Sequence, residues 1–316
     1  MPSSAVQTFS DADQYAAAIR AAAVEFTVTG RGDFNAKLVR IDLHRLWMQR
    51  FSDNLPRIAD VTGVVSGRTY ITFRTQPGPC VLWDGVENHP SGILRFGQAG
   101  DHYQRSSGAC DFATMSLPTE KIASVGELMS GLDLTSPSDT MSITPPPAVT
   151  ARLQRLHAAA GDLAEHAPEI IANADSARGL EQALTEAMID CLASRDAPKS
   201  SLAQGQHAII MRRFRRVVEE NPEQPLYIPE ICKAIRVPSR TLRSVCQEHL
   251  GMGPKRYLLL RRMHLVRRAL RETAPGTTSV TDIATRYGFW HLGRFAVEYQ
   301  SLFGESPSAT LHRQSE

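Results

Sequence analysis

Residues 279–304 read SVTDIATRYGFWHLGRFAVEYQSLFG, and the fold of the C-terminal third follows from them. Ser279 with Asp282 three residues later has the form of a capping box, which starts a helix. Val280, Ile283, Ala284 and Tyr287 then fall on one helical face. Gly288 stands where a turn needs a permissive backbone. A second helix follows, burying Leu292, Phe295, Tyr299 and Phe303 at helical spacing. That leaves His291 and Arg294 facing outward near its N-terminus. Such a pair is a helix-turn-helix, in which the N-terminal part of the second helix meets base edges in the major groove.

The same pattern occurs once before, in YIPEICKAIRVPSRTLRSVCQEHLG, residues 227–251. Pro229 suits a first helical turn, and Ile231, Ala234 and Ile235 supply the apolar face. Arg236-Val237-Pro238 breaks the helix, and Ser239 is placed to cap the next one. That helix buries Leu242, Val245 or Cys246, and Leu250, which turns Arg240, Arg243, Ser244 and Gln247 outward. Arginine matches the two acceptors of guanine, and glutamine the donor and acceptor of adenine. Between the units, PKRYLLLRRMHLVRRALRET (254–273) reads as one long helix. Leu258, Leu259, Leu265, Val266 and Leu270 face inward, and its arginines outward. Arg256, Arg261 and Arg262 are candidates for phosphate contacts, with simple solvation of the helix as the alternative. Cys246, Met252 and Trp290 read as packing residues.

Charge follows the same division. Residues 207–316 carry 18 Lys and Arg against 10 Asp and Glu, a net of +8, and sixteen of those cations are Arg. The preceding 206 residues carry 17 against 23, a net of −6. A basic third on an acidic remainder fits a polyanion partner for one domain, or a solvated basic face. The five cysteines are scattered, with neither disulfide nor zinc spacing, as expected in a reducing cytosol. No apolar run reaches the ~18–20 residues of a membrane span, and residues 1–15 lack the pattern of a secretory signal.

The chain of 316 residues has the length of about two domains. Residues 1–25 read as a polar lead and one short helix, and residues 25–130 as a β-rich region. Its short strands include Val39–Trp47, Tyr70–Phe73, Val81–Trp83, Ile93–Phe96 and Phe112–Met115. Gly63, Gly67, Pro77-Gly78-Pro79, Asn88-His89-Pro90, Gly97 and Gly100 punctuate them. Residues 135–147 form a Pro/Ser-rich break, and two helices over 148–194 carry apolar faces for packing or for a dimer interface. Residues 1–195 therefore read as one β-rich domain with a helical hairpin, 196–206 as a linker and 207–316 as a helical DNA-binding domain. The fold class is α+β: an antiparallel β domain with a helical hairpin, then an all-α domain. Trp47, Tyr70, Phe73, Trp83 and Phe96 are either ordinary core or a pocket lining, with Arg50, Arg57, Arg68 or Arg74 on the surface or clamping an anion. His44, His89 and His102 lack metal-ligand spacing, so neither a metal nor another cofactor is expected. No phosphate-binding loop or nucleophile elbow occurs, so no catalytic residue is assigned.

Residues 207–313 resemble the DNA-binding domain of the AraC/XylS family of bacterial transcription regulators. PSRTLRSVCQEHLGMGPKRYLLLRRM is similar to that family's first reading helix and connecting helix. VTDIATRYGF with RFAVEYQSLFGESPSATLHR is similar to its signature, closing on Phe-Gly-x-x-Pro. The resemblance implies two reading heads in successive major-groove segments of double-stranded promoter DNA, carried by Ser239, Arg240, Arg243, Ser244, Gln247, His291 and Arg294. It also implies that residues 1–195 are a cupin-like domain that senses a small effector or dimerises. The protein so implied is a cytoplasmic, nucleoid-associated regulator and homodimer that can contact RNA polymerase. The alternative is a cupin-type enzyme or small-molecule-binding protein with a fused DNA-binding tail.

Overall fold

The computed structural model describes residues 1–79, 81–87, 89–97, 101–134, 137, 140–194, 202–221, 224–274 and 277–312. By their contacts they divide into two compact units: residues 1–26 with 34–199, and residues 27–33 with 200–316.

In the first unit, β1 (Ser3–Phe9), α1 (Ala12–Ala18) and β2 (Ala23–Val28) precede β3 (Ala36–Asp42), β4 (Trp47–Asp53), β5 (Arg57–Thr62) and β6 (Arg68–Arg74). Then come β7 (Val81–Trp83), β8 (Val86–Glu87), β9 (Ile93–Arg95), β10 (His102–Ser106) and β11 (Cys110–Pro118). α2 (Thr119–Ser130), β12 (Met141–Ile143), α3 (Pro147–His166), α4 (Pro168–Ala172) and α5 (Ala174–Leu192) complete it. The strands form a seven-stranded sheet, β1-β3-β4-β11-β6-β9-β12, and a five-stranded sheet, β2-β5-β10-β7-β8. The pairings β3–β4, β4–β11, β11–β6 and β5–β10 are antiparallel, as the short punctuated strands predict.

Alternation decides what each sheet face buries. In β3, Leu38 and Val39 are both inside, and Ile41, Met48, Ile71, Phe73 and Met115 share one core with Leu153, Ala160, Leu184 and Met188 of α3 and α5. The apolar stripes of the two helices are thus spent on packing against the seven-stranded sheet. Of the two readings of 148–194, packing is what the structure has.

Several expectations are corrected. The polar lead is strand β1, an edge strand paired only with β3, whose exposed pattern carries no apolar alternation. The expected strand at Val39–Trp47 is two strands joined by a turn at 43–46. Residues 119–130 are helical, and the Pro/Ser-rich break contains β12, which extends the seven-stranded sheet. The arginines are not a surface set. Arg57 is 1% exposed and Arg74 also buried, while Arg68 stacks 3.6 Å from the centre of the Trp47 ring. Phe73, Trp83 and Phe96 are buried, and Trp47 and Tyr70 half-buried. His44 contacts the Ala174 carbonyl, His89 contacts Ser91 and His102 contacts Asp84, each in a separate place. Cys80, Asn88 and most of the expected linker lie outside the described residues; from Leu202 the chain is already helical.

The second unit holds α6 (Leu202–Glu219), α7 (Ile228–Ile235), α8 (Ser239–Leu250), α9 (Pro254–Glu272), α10 (Val280–Arg286), α11 (Leu292–Phe303) and α12 (Pro307–His312). Both helix-turn-helix pairs, α7–α8 and α10–α11, are where the periodicity puts them. α9 packs against α8, α10 and α12. Leu260, Val266 and Leu270 of α9 enter one core with Ile283, Ala284, Phe295 and Tyr299.

Candidate nucleic-acid interface

α7 begins with Pro229 in its first turn, and the Glu230 carboxylate accepts from the Tyr227 amide. Ile231 and Ile235 are its buried residues; Ala234, expected inside, is exposed, because the short helix buries only a narrow stripe. The turn closes on Arg236, at φ 57° and ψ 48°. A left-handed backbone at a residue with a Cβ costs roughly 1–2 kcal/mol.

The cap of α8 is Pro238, and Ser239 is its first helical residue rather than its cap. Leu242, Val245, Cys246, His249 and Leu250 face inward. Ser239, Arg240, Arg243, Ser244 and Gln247 are all exposed. At positions i, i+1, i+4, i+5 and i+8 they form one polar face. The Gln247 amide nitrogen donates to the Gly251 carbonyl at 3.2 Å, which holds that side chain along the last turn. Burial pushes the Cys246 thiol up to about 12, so it is a packing residue, as expected.

α10 carries its capping box: the Asp282 amide donates to Ser279 Oγ at 3.1 Å, and the Ser279 amide to Asp282 Oδ2 at 3.2 Å. Hydrogen bonds from Ser279 hold the Asp282 carboxyl below its usual range. The turn runs through Gly288 at φ +80°, where an added Cβ would lie 2.8 Å from Pro225 Cβ. α11 buries Phe295, Tyr299 and Leu302; Leu292 and Phe303 are half-buried, so the inner stripe is turned slightly from the expected one. His291 is the cap residue and Arg294 lies one turn on; both are exposed. Arg294 donates through Nε to Glu298 Oε1 at 2.8 Å, an exposed pair whose net contribution is about 0.3–0.5 kcal/mol.

Two corrections concern the phosphate candidates. Arg261 is 7% exposed, because α9 has neighbours on three sides and its buried arc takes in that position. Arg262 is half-buried: Nη1 donates to the Tyr287 carbonyl at 3.4 Å, and the guanidinium lies 5.2 Å from the Phe289 ring centre. Burial lowers its pKa. Arg262 therefore fastens α9 to the turn of the second pair. Arg256 alone of the three is exposed.

Trp290 is the residue that sequence reasoning misplaced. Instead of packing, it is 71% exposed, directly before His291. Val297, on the outer face of α11, is 69% exposed. The outward side of the second pair is thus partly apolar.

The helix-turn-helix domain family model matches residues 231–313. The XylDLEGF operon transcriptional activator of Pseudomonas putida is 38% identical over 103 residues, 32% of this chain and 32% of that protein. The probable thc operon regulatory protein of Rhodococcus erythropolis is 39% identical over 102 residues, 32% of this chain and 31% of that protein. The chain thus spans about a third of the length of these curated relatives. Among solved structures, a probable AraC family transcriptional regulator from Rhodopseudomonas palustris CGA009 is 30% identical, covering 34% of this chain and 98% of that one, with a TM-score of 0.31. The family match falls on the region that the two helix-turn-helix pairs occupy, and the C-terminal region of this chain carries a helix-turn-helix domain of the AraC/XylS type.

Proposed function

We propose that this protein is a sequence-specific DNA-binding transcription regulator that reads two successive major-groove segments. The observation that carries the proposal is the exposed row Ser239, Arg240, Arg243, Ser244 and Gln247 on α8. A forked guanidinium and a primary amide on one helical face are the groups that discriminate base edges. His291 and Arg294 supply the second reading head, with the indole of Trp290 beside them to contact a thymine methyl. Arg256 holds phosphate. The first unit, on this reading, senses a small effector or dimerises, and contact with RNA polymerase and residence in the cytoplasm belong to the same role. Among the described residues no helix is long and apolar enough to cross a membrane.

An effector changes DNA occupancy only by binding one arrangement of the protein better than another. The test is binding of the full chain to the promoter fragment beside its own gene, against scrambled DNA of the same length. Preference for the promoter fragment is expected. Equal binding to both, with the Arg240→Ala, Arg294→Ala double variant indistinguishable from wild type, overturns the reading.

A further inference from the structure

Between the two sheets of the first unit lies a cavity of about 80 Å³, partly open to solvent. Phe26, Phe51, Phe96 and Phe112 give it apolar walls. Most of its polar lining is already satisfied. Gln49 exchanges hydrogen bonds with the Arg20 backbone, and the Tyr70 hydroxyl donates to the Val65 carbonyl. Arg57 donates twice to Asp53, through Nε at 3.1 Å and Nη2 at 2.7 Å. Burial alone would lower the Arg57 pKa; its acidic neighbours, Asp53 first and then Cys110 and Tyr15, more than reverse it, so the guanidinium stays charged. Arg20 is likewise paired with Asp42.

Two donors are left over. Trp83 Nε1 and Gln104 Nε2 are buried and have no hydrogen-bond partner among the described residues; the two residues are 6% and 1% exposed. Both line the cavity. They are also directly opposite each other, Trp83 on β7 paired with Gln104 on β10, so both side chains leave the same face of the sheet. The orientation of the Gln104 amide is forced. Arg57 Nη1 donates to its Oε1, and a guanidinium has no acceptor to offer an amide N–H, so the NH₂ end must face away.

We propose that this donor pair is a binding site for an uncharged, mostly apolar molecule with one carbonyl-type oxygen, such as a ketone, ester or lactone. It rests on the effector-sensing role given above. Buried unpaired donors are costly, and one oxygen with two lone pairs meets both. The acceptor is uncharged because each cation at the cavity already has its carboxylate. An added anion would enter apolar surroundings with no unmatched countercharge. The enclosed part of the ligand is small, since the cavity is about half the ~150 Å³ that accommodates benzene.

The test uses three isosteres on the full chain: methyl isopropyl ketone, the alkene with CH₂ in place of the oxygen, and isobutyrate. With nitrogen-15 tryptophan, the chain has three indole signals. Trp83→Phe assigns one of them and deletes the donor while keeping a ring. The ketone is expected to move the Trp83 signal, and the alkene to bind about thirtyfold more weakly, as for two lost neutral hydrogen bonds. Isobutyrate leaves the signal in place. If that variant does not fold, Trp47→Phe and Trp290→Phe assign the Trp83 signal by elimination, and the titrations are read on wild type. An unmoved Trp83 signal at millimolar ketone, equal binding of the alkene, or tighter binding of isobutyrate each overturns the proposal. Promoter binding measured on the same sample separates the two readings. Specific DNA binding without ketone binding sinks this inference alone. Ketone binding at Trp83 that never alters DNA affinity sinks the effector role and leaves the site.

Discussion

The two helix-turn-helix pairs share a layout but build it from different materials. Each first helix ends in a left-handed turn, on Arg236 in one and Gly288 in the other. At Arg236 the side chain is exposed. At Gly288 the backbone is pressed against Pro225 and the Arg262 guanidinium, and no Cβ fits. The outward faces differ too. α8 presents two arginines, two serines and a glutamine, whereas α11 presents an arginine already paired with Glu298, with exposed Trp290 and Val297 nearby. On the proposed function, the first pair discriminates bases through polar groups, while the second depends more on close packing of its turn and on apolar contact.

The largest effect should come from the polar face. Arg240→Ala with Arg243→Ala removes two forked donors, each worth about 1–3 kcal/mol of base discrimination. Competition titrations should show preference for the promoter fragment falling by about a hundredfold or more. A comparable loss from Val297→Ala instead would reverse the ranking of the two faces. Next is the packed turn. Gly288→Ala meets both the positive φ and the Pro225 contact, and should lower stability by about 1–3 kcal/mol in chemical denaturation. A third experiment separates the α9 arginines. Arg256→Ala should reduce the slope of log affinity against log salt by about 1, whereas Arg261→Ala leaves the slope unchanged and lowers the melting temperature. The smallest effect is at the open turn. Arg236→Gly relieves its left-handed strain and should stabilise by about 0.5–1 kcal/mol, the opposite sign to Gly288→Ala.

How much of this was legible in the sequence depends on whether the deciding contacts are local. The C-terminal helices were readable because their caps, turns and apolar stripes lie within a few residues of one another: Ser279 with Asp282, Gly288 before α11, Leu242 with Val245. The exposure of Arg240, Arg243, Ser244 and Gln247 followed from helical geometry alone. Arg261 did not, because its burial depends on how many helices surround α9. β1 was invisible since an edge strand with an exposed face has no alternating pattern. In the β unit, the pairing of Trp83 with Gln104 and the hydrogen bond from Arg57 to Gln104 depend on strand register. Residues twenty-one positions apart in the chain announce no such contact by their spacing.

The most direct test of the central claim, that two tandem reading heads enter one duplex, is a hydroxyl-radical footprint of the full chain on the promoter fragment. Two protected patches centred about one helical turn (~10 base pairs) apart are expected, with Arg240→Ala weakening one and Arg294→Ala the other. A single patch, or two patches that both variants leave unchanged, would contradict it.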